Sequence, residues 1–221
     1  MSEAIVEKRK YNKELLHWLG LADEDYLAAR LLLLNGYLKQ GLIFSDTAVE
    51  KYLKTLFFSR DKKIPRLHDV SKLYEEVQKM NMDGITPVNT GFISFLSKGY
   101  KMRYTDDLEN GYNIYLDQIK MLVELDRTVY AIRKDFQLET ADGKKIVTRL
   151  DNCIEQNDPV LLSKNICFGK CDPLELFKEK TKWLALLIYG NHNTIEGGGE
   201  NEGTTDDGRF DIVGIKQEQQ I

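Results

Sequence analysis

Histidine is scarce in this sequence: His17, His68 and His192 are the only three in 221 residues, so chemistry that moves a proton through an imidazole has few places to occur. Cysteine is equally sparse. Cys153, Cys167 and Cys171 form an odd set that does not suit a secreted disulfide framework, and reduced thiols are expected. A Cys3His zinc site made from these cysteines and His192 is conceivable. The spacing of Cys167 and Cys171 is not the tight knuckle that zinc ligand pairs favour, so neither a metal nor a cofactor is expected.

An excess of positive charge is also missing. Lys and Arg number 31 against 35 Asp and Glu, and a net charge of −4 cannot recruit a polyanion through its global field. Nucleic-acid contact would need a local patch. No apolar run approaches the length of a membrane span; Trp183 to Tyr189 is far too short. The opening MSEAIVEKRKYNKELL carries charges throughout and no apolar signal core. A cytoplasmic protein without membrane contact is expected. There is no GxxxxGK[ST] phosphate loop, dinucleotide fingerprint or nucleophile elbow, which leaves the better-known catalytic routes unsupported.

What is present is a series of apolar stripes at helical spacing, and 42% hydrophobic residues suffice for one good core. Leu15, Leu19, Ala22, Tyr26, Ala29 and Leu33 step by fours and threes, which predicts a helix over about 12–35 stopped by Asn35-Gly36. Lys39 to Gly41 reads as a loop. Leu42 to Ser59 reads as a second helix, with Leu42, Val49, Leu53 and Leu56 inward and Glu50, Lys51 and Lys54 on the polar side. Asp69 is placed to cap a third, along which Val70, Leu73, Tyr74, Val77 and Met80 repeat. A short fourth helix runs from Pro87 to Gly99 with Phe92, Phe95 and Leu96, and a long fifth reaches Phe136 through Tyr115, Leu122, Leu125, Val129 and Ile132.

Beyond Ala141-Asp142-Gly143 the segments shorten. Lys144 to Gln156 and Pro173 to Tyr189 read as helices, the second capped by Asp172 with Leu176, Phe177, Trp183, Leu184 and Leu187 on one face. From Glu196 to Gly208 no apolar residue offsets the entropy of ordering, so this stretch reads as a flexible linker, followed by a short tail at Phe210 to Ile215. The expected fold class is all-α. A helical bundle occupies 1–138, a small C-terminal helical extension 139–195, and a linker and tail 196–221.

The stretch ADEDYLAARLLLLNGYLKQGLIFSDTAVEKYLKTLF, with Ala48, Glu50, Leu53 and Lys54 in its second half, resembles the acidic opening of helix one and the helix-two pattern of the HEPN domain family. Leu67-His68-Asp69-Val70 resembles that family's His-Asp element, and Arg103-Tyr104 its Arg-Tyr element before the last long helix. The resemblance spans residues 12–136. It implies an up-and-down bundle of four to five helices, a homodimer, and a nucleotide or RNA ligand or a separate nucleotidyltransferase protein as partner, in a toxin–antitoxin-like setting. Some members are instead metal-independent ribonucleases. In those an Arg, separated by four to six residues from a following His, stabilises the charged phosphorane while the His moves the proton of the attacking 2′-hydroxyl.

That spacing is absent here. Seven residues separate Arg60 from His68, one separates Arg66 from it, seven lie between Arg9 and His17, and no Arg stands just before His192. This departure argues against an enzyme and for a non-catalytic binding module. The alternatives are a ribonuclease toxin and a purely structural helical interaction protein.

Lys54, Arg60, Lys62, Lys63 and Arg66 cluster at the exit of helix two and are the candidates for ligand contact. His68 and Asp69 join them at a helix start, where N–H groups and the dipole favour an anion. Arg103 completes the set, beside Tyr104, where a guanidinium can stack or grip a phosphate. Each has a plainer role: Asp69 as a cap, Glu50 and Lys54 as an exposed i,i+4 pair, Arg103 as a partner of Asp106 or Asp107, and the cations as a solvated face. No catalytic residue is assigned.

Overall fold

The computed structural model describes residues 3–60, 62–80, 88–104, 108–134, 138, 144–189 and 193–201. Its first two helices, α1 (Glu3–Leu34) and α2 (Leu38–Phe58), lie antiparallel. Trp18 packs near Phe58, Tyr26 meets Tyr52 edge-on, and Lys51 pairs with Asp25 at 2.6 Å. The turn between them is short because Gly36 takes a φ of 81°, open to a residue without Cβ. Its N–H donates to the Leu33 carbonyl and that of Tyr37 to Leu32, each at 2.9 Å, which closes the helix end. The chain re-enters a helix at once. Lys39 to Gly41, read from sequence as a loop, therefore belongs to α2.

Helix α2 is the centre of the bundle and touches α1, α3 (Val70–Lys79), α4 (Thr90–Tyr100) and α5 (Gln118–Arg133). Leu42, Val49, Leu53 and Leu56 are buried as their spacing predicted; each contributes about 2 kcal/mol of hydrophobic burial. Asp69 caps α3 and Asn89 caps α4, each side chain accepting from two backbone N–H groups of the first turn. Pro87, expected at the start of the fourth helix, lies outside the described residues.

The fold is not purely all-α. Asn113–Asp117 forms strand β1, and the fifth helix begins only at Gln118, so Tyr115 is a strand residue. The Asp117 carboxylate makes the junction, accepting from Lys120 N–H at 3.0 Å and from the Thr181 hydroxyl at 3.1 Å. The predicted helix Pro173–Tyr189 is likewise split. Only α8 (Pro173–Leu176) is helical, and Thr181–Tyr189 is strand β2, antiparallel to β1 and to β3 (Asn193–Asn201). Leu184, Leu186 and Ile188 face the helices while Trp183 stacks on Tyr115 on the other side. A run such as WLALLIY satisfies both a helical and a two-residue repeat, so periodicity alone does not decide.

The linker reading fails for residues 196–201, which are in β3. They are ordered by the antiparallel ladder to β2, in which Thr181–Leu186 pair with 196–201, and the Trp183 ring lies against Gly197 and close to Gly199. Residues 202–221, including the rest of the expected linker and the Phe210–Ile215 tail, lie outside the described residues. The predicted Lys144–Gln156 helix is shorter, α6 (Arg149–Glu155), and is followed by α7 (Pro159–Leu162). Leu150, Cys153, Leu161, Leu186 and Ile188 share one buried cluster with α1, α2 and α5. Among the described residues no helix is long and apolar enough to cross a membrane.

Candidate ligand-binding face

Three of the residues singled out above, Lys54, His68 and Arg103, meet on one face of α2. Asp46, Glu50 and Lys54 stand on successive turns, with Thr47 beside them. Glu50 is the hub. Its Oε1 accepts from Lys54 Nζ at 2.5 Å and lies 3.2 Å from His68 Nδ1. Lys54 does not belong to a polar, solvated side: its side chain and that of Glu50 are 9% and 13% exposed. A pair so shielded is weakly screened by salt, and removing either partner would strand the other charge. His68 differs, its ring standing 72% exposed above the pair.

Asp69 takes the plainer role expected of it. Its carboxylate accepts from the N–H groups of Ser71 and Lys72 at 3.0 and 3.2 Å and from the Ser97 hydroxyl at 2.9 Å. The amides that would greet an incoming phosphate are thus already engaged. Arg103 stands at the end of a single 3-10 turn, Lys101–Arg103, that follows α4. Its guanidinium lies 4.5 Å over the Tyr100 ring, not Tyr104, and donates to the Thr47 hydroxyl. Asp106 and Asp107, its other expected partners, lie outside the described residues.

The four remaining candidates, Arg60, Lys62, Lys63 and Arg66, occupy the non-helical connection from α2 to α3, and all are exposed. None is in an ion pair with a described residue. The connection is anchored where it leaves the helix, Lys62 N–H donating to the Phe57 carbonyl at 3.0 Å.

Asp46 is the residue sequence reasoning missed. It is fully buried, and neither carboxylate oxygen has a hydrogen-bond partner among the described residues. Burial pushes its carboxyl up to about 8, with Glu50 and Asp69 adding to the rise and Arg103 opposing it. The signal was a lone acid between Phe44 and Val49, on the same helical row as Glu50 and Lys54. It was legible as a stripe but not as a buried one.

Cys153 is buried, and burial pushes the Cys167 thiol up to about 11, so neither is an activated nucleophile. Among the described residues no three His, Cys, Asp or Glu side chains are grouped to hold a metal. His192 lies outside them.

Comparison with protein families matches the HEPN domain to residues 15–135, from the first ordered stripe of α1 to just past the end of α5. Comparison with curated proteins and with solved structures returned no match.

Proposed function

The chain belongs to the HEPN domain family, and from that premise we propose that its bundle is a non-catalytic binding module for a nucleotide-containing ligand or a nucleotidyltransferase partner. One observation carries this reading: Arg60, Lys62, Lys63 and Arg66 stand exposed and without described ion partners on a single connection of a chain with net charge −4. Exposed cations without a described ion partner in an acidic protein favour an anionic group arriving from outside. Lys54 acts beneath them as a structural residue, its charge met by Glu50. Residues 1–138 form the binding bundle, which works as a homodimer in the cytoplasm, and the segment after it serves as a brace.

A second reading, ribonuclease, is favoured by a different arginine from the two near His68 in sequence. His68 meets α2 at Glu50 and Arg103 meets it at Thr47, one helical turn away. An imidazole and a guanidinium therefore flank the same stretch of helix. Incubating the purified full chain with RNA in chelator separates the two readings. The binding-module reading expects no cleavage above background, together with copurified nucleotide or nucleotidyltransferase seen by mass spectrometry. Cleavage that disappears in both His68→Ala and Arg103→Ala, with the fold intact, would establish the ribonuclease instead.

A further inference from the structure

A cavity of about 400 Å³ opens between the end of α5 and α6, its described lining including Tyr130, Arg133, Lys134, Lys145, Ile154 and Phe168. That volume lies within the range of small-molecule sites. One end is apolar: Tyr130, 45% exposed, presents its ring edge-on to Phe168 with centroids 5.4 Å apart, and Ile154 is exposed beside them. The other end is cationic. Arg133 has a side chain only 10% exposed and is held in place, its Nη2 donating to the Thr148 hydroxyl at 2.6 Å and its Nε lying 3.7 Å from Asp23. A guanidinium has five N–H donors, and the contacts with described residues engage fewer than that.

The charges at this end do not cancel. Lys145 is met by Asp151 at 3.1 Å and Arg133 by Asp23, whereas exposed Lys134 has no described ion partner. Among the described residues three cations stand against two carboxylates, a surplus of one. The cavity also lies between the end of α5 and the start of α6, whose partial charges are opposite in sign and offset each other, so the side chains decide the field.

We propose that this cavity binds a small organic anion with a flat apolar body, the ring lying against Tyr130, Phe168 and Ile154 and the anionic group reaching Lys134 and Arg133. A mononucleotide and an aromatic carboxylate share this chemistry. The site has no residue in common with the 60–69 connection and is independent of the binding proposed there.

The test uses the full chain and the fluorescent anion 8-anilino-1-naphthalenesulfonate, with N-phenyl-1-naphthylamine as its neutral counterpart. The expected result is one saturable site for the anion, about tenfold tighter than for the neutral ring, weakened about tenfold by Lys134→Glu and by Tyr130→Ala. Lys134 is exposed, so its variant should keep the wild-type melting temperature and remain informative even if Tyr130→Ala perturbs packing. Displacement by adenosine monophosphate or by salicylate supports the site and distinguishes the two ligand sources; displacement by neither overturns it. The proposal also fails if binding is not saturable, if the neutral ring binds equally well, if Lys134→Glu leaves affinity unchanged, or if Lys62→Gln/Lys63→Gln/Arg66→Gln abolishes binding.

Discussion

Arg30 of α1 donates to both carboxylate oxygens of Asp126 of α5, with neither side chain exposed. Seven residues away on each helix the charges are exchanged, Asp23 of α1 lying 3.7 Å from Arg133 of α5. The two pairs run in one antiparallel register and cross-link the helices. Tyr26 donates to Asp126 and Tyr52 to Asp23, each at 2.6 Å, so both carboxylates are further satisfied inside the core. Arg30 also donates to the carbonyls of Val160 and Ser163, which fastens α7 and its C-cap to the bundle.

Replacing Arg30 with Met should therefore destabilise the protein by about 3–5 kcal/mol, because it strands a buried carboxylate. Adding Asp126→Leu should recover part of that loss, since an uncharged pair no longer needs a partner. Urea denaturation of the single and double variants gives the coupling. Limited proteolysis should find new cuts near Ser163 in the single variant.

Stability should fall as pH rises from about 4 to about 8. Asp46 holds its proton in the folded state up to about 8 but loses it near 3.8 once unfolded, so within that window the folded state binds more protons. Asp126, pushed by burial to about 6, acts in the same direction over the lower half of the window. Above pH 6 the slope should approach about 1.4 kcal/mol per pH unit and come chiefly from Asp46. Asp46→Asn, which cannot ionise, should flatten this limb and melt above wild type at pH 9. A wild-type melting temperature constant between pH 6 and 9 would show that the carboxyl is not buried as described.

Replacing Lys62, Lys63 and Arg66 together with Gln should weaken binding of a fluorescent adenosine triphosphate analogue by about tenfold or more and flatten its dependence on salt. The folded state should be nearly unaffected, because all three side chains are exposed and surface changes of this kind stay within about 0.5 kcal/mol. Equal affinities and equal salt slopes for both proteins would leave the cluster as a solvated face.

Strand β3 should resist proteases despite its composition. A Cβ at position 199 would lie 3.1 Å from Trp183 Nε1, so Gly199→Val would drive the indole off the strand. The expected outcome is a red-shifted tryptophan emission and cutting within 196–201 that wild type does not show.

Much of the bundle was legible because α1 and α3 each bury a stripe at a 3.6-residue repeat, and α2, though buried on several sides, keeps the predicted stripe among its buried residues. Asp69 as a cap was also readable, since capping is decided within a few residues of chain. The strands were not. Asn113–Asp117 and Thr181–Tyr189 carry short apolar runs compatible with either repeat, and only their pairing across some 70 residues chooses between them. The glycines of β3 looked like a linker because their partner, Trp183, is visible only once the register is known.

The sequence by itself determined the family, the order of the first helices and the scarcity of imidazoles that limits proton chemistry. Burial was decided only by the tertiary structure. Glu50–Lys54 read as a surface pair became a shielded one beside His68, and Asp46, silent in the sequence, became a buried carboxylic acid without a hydrogen-bond partner among the described residues. The physical reason is that a residue's charge state and its strength as a partner depend on the dielectric and the neighbours around it. Those are set by segments distant in the chain, such as the Ser97 hydroxyl on Asp69 and the Arg103 guanidinium on Thr47.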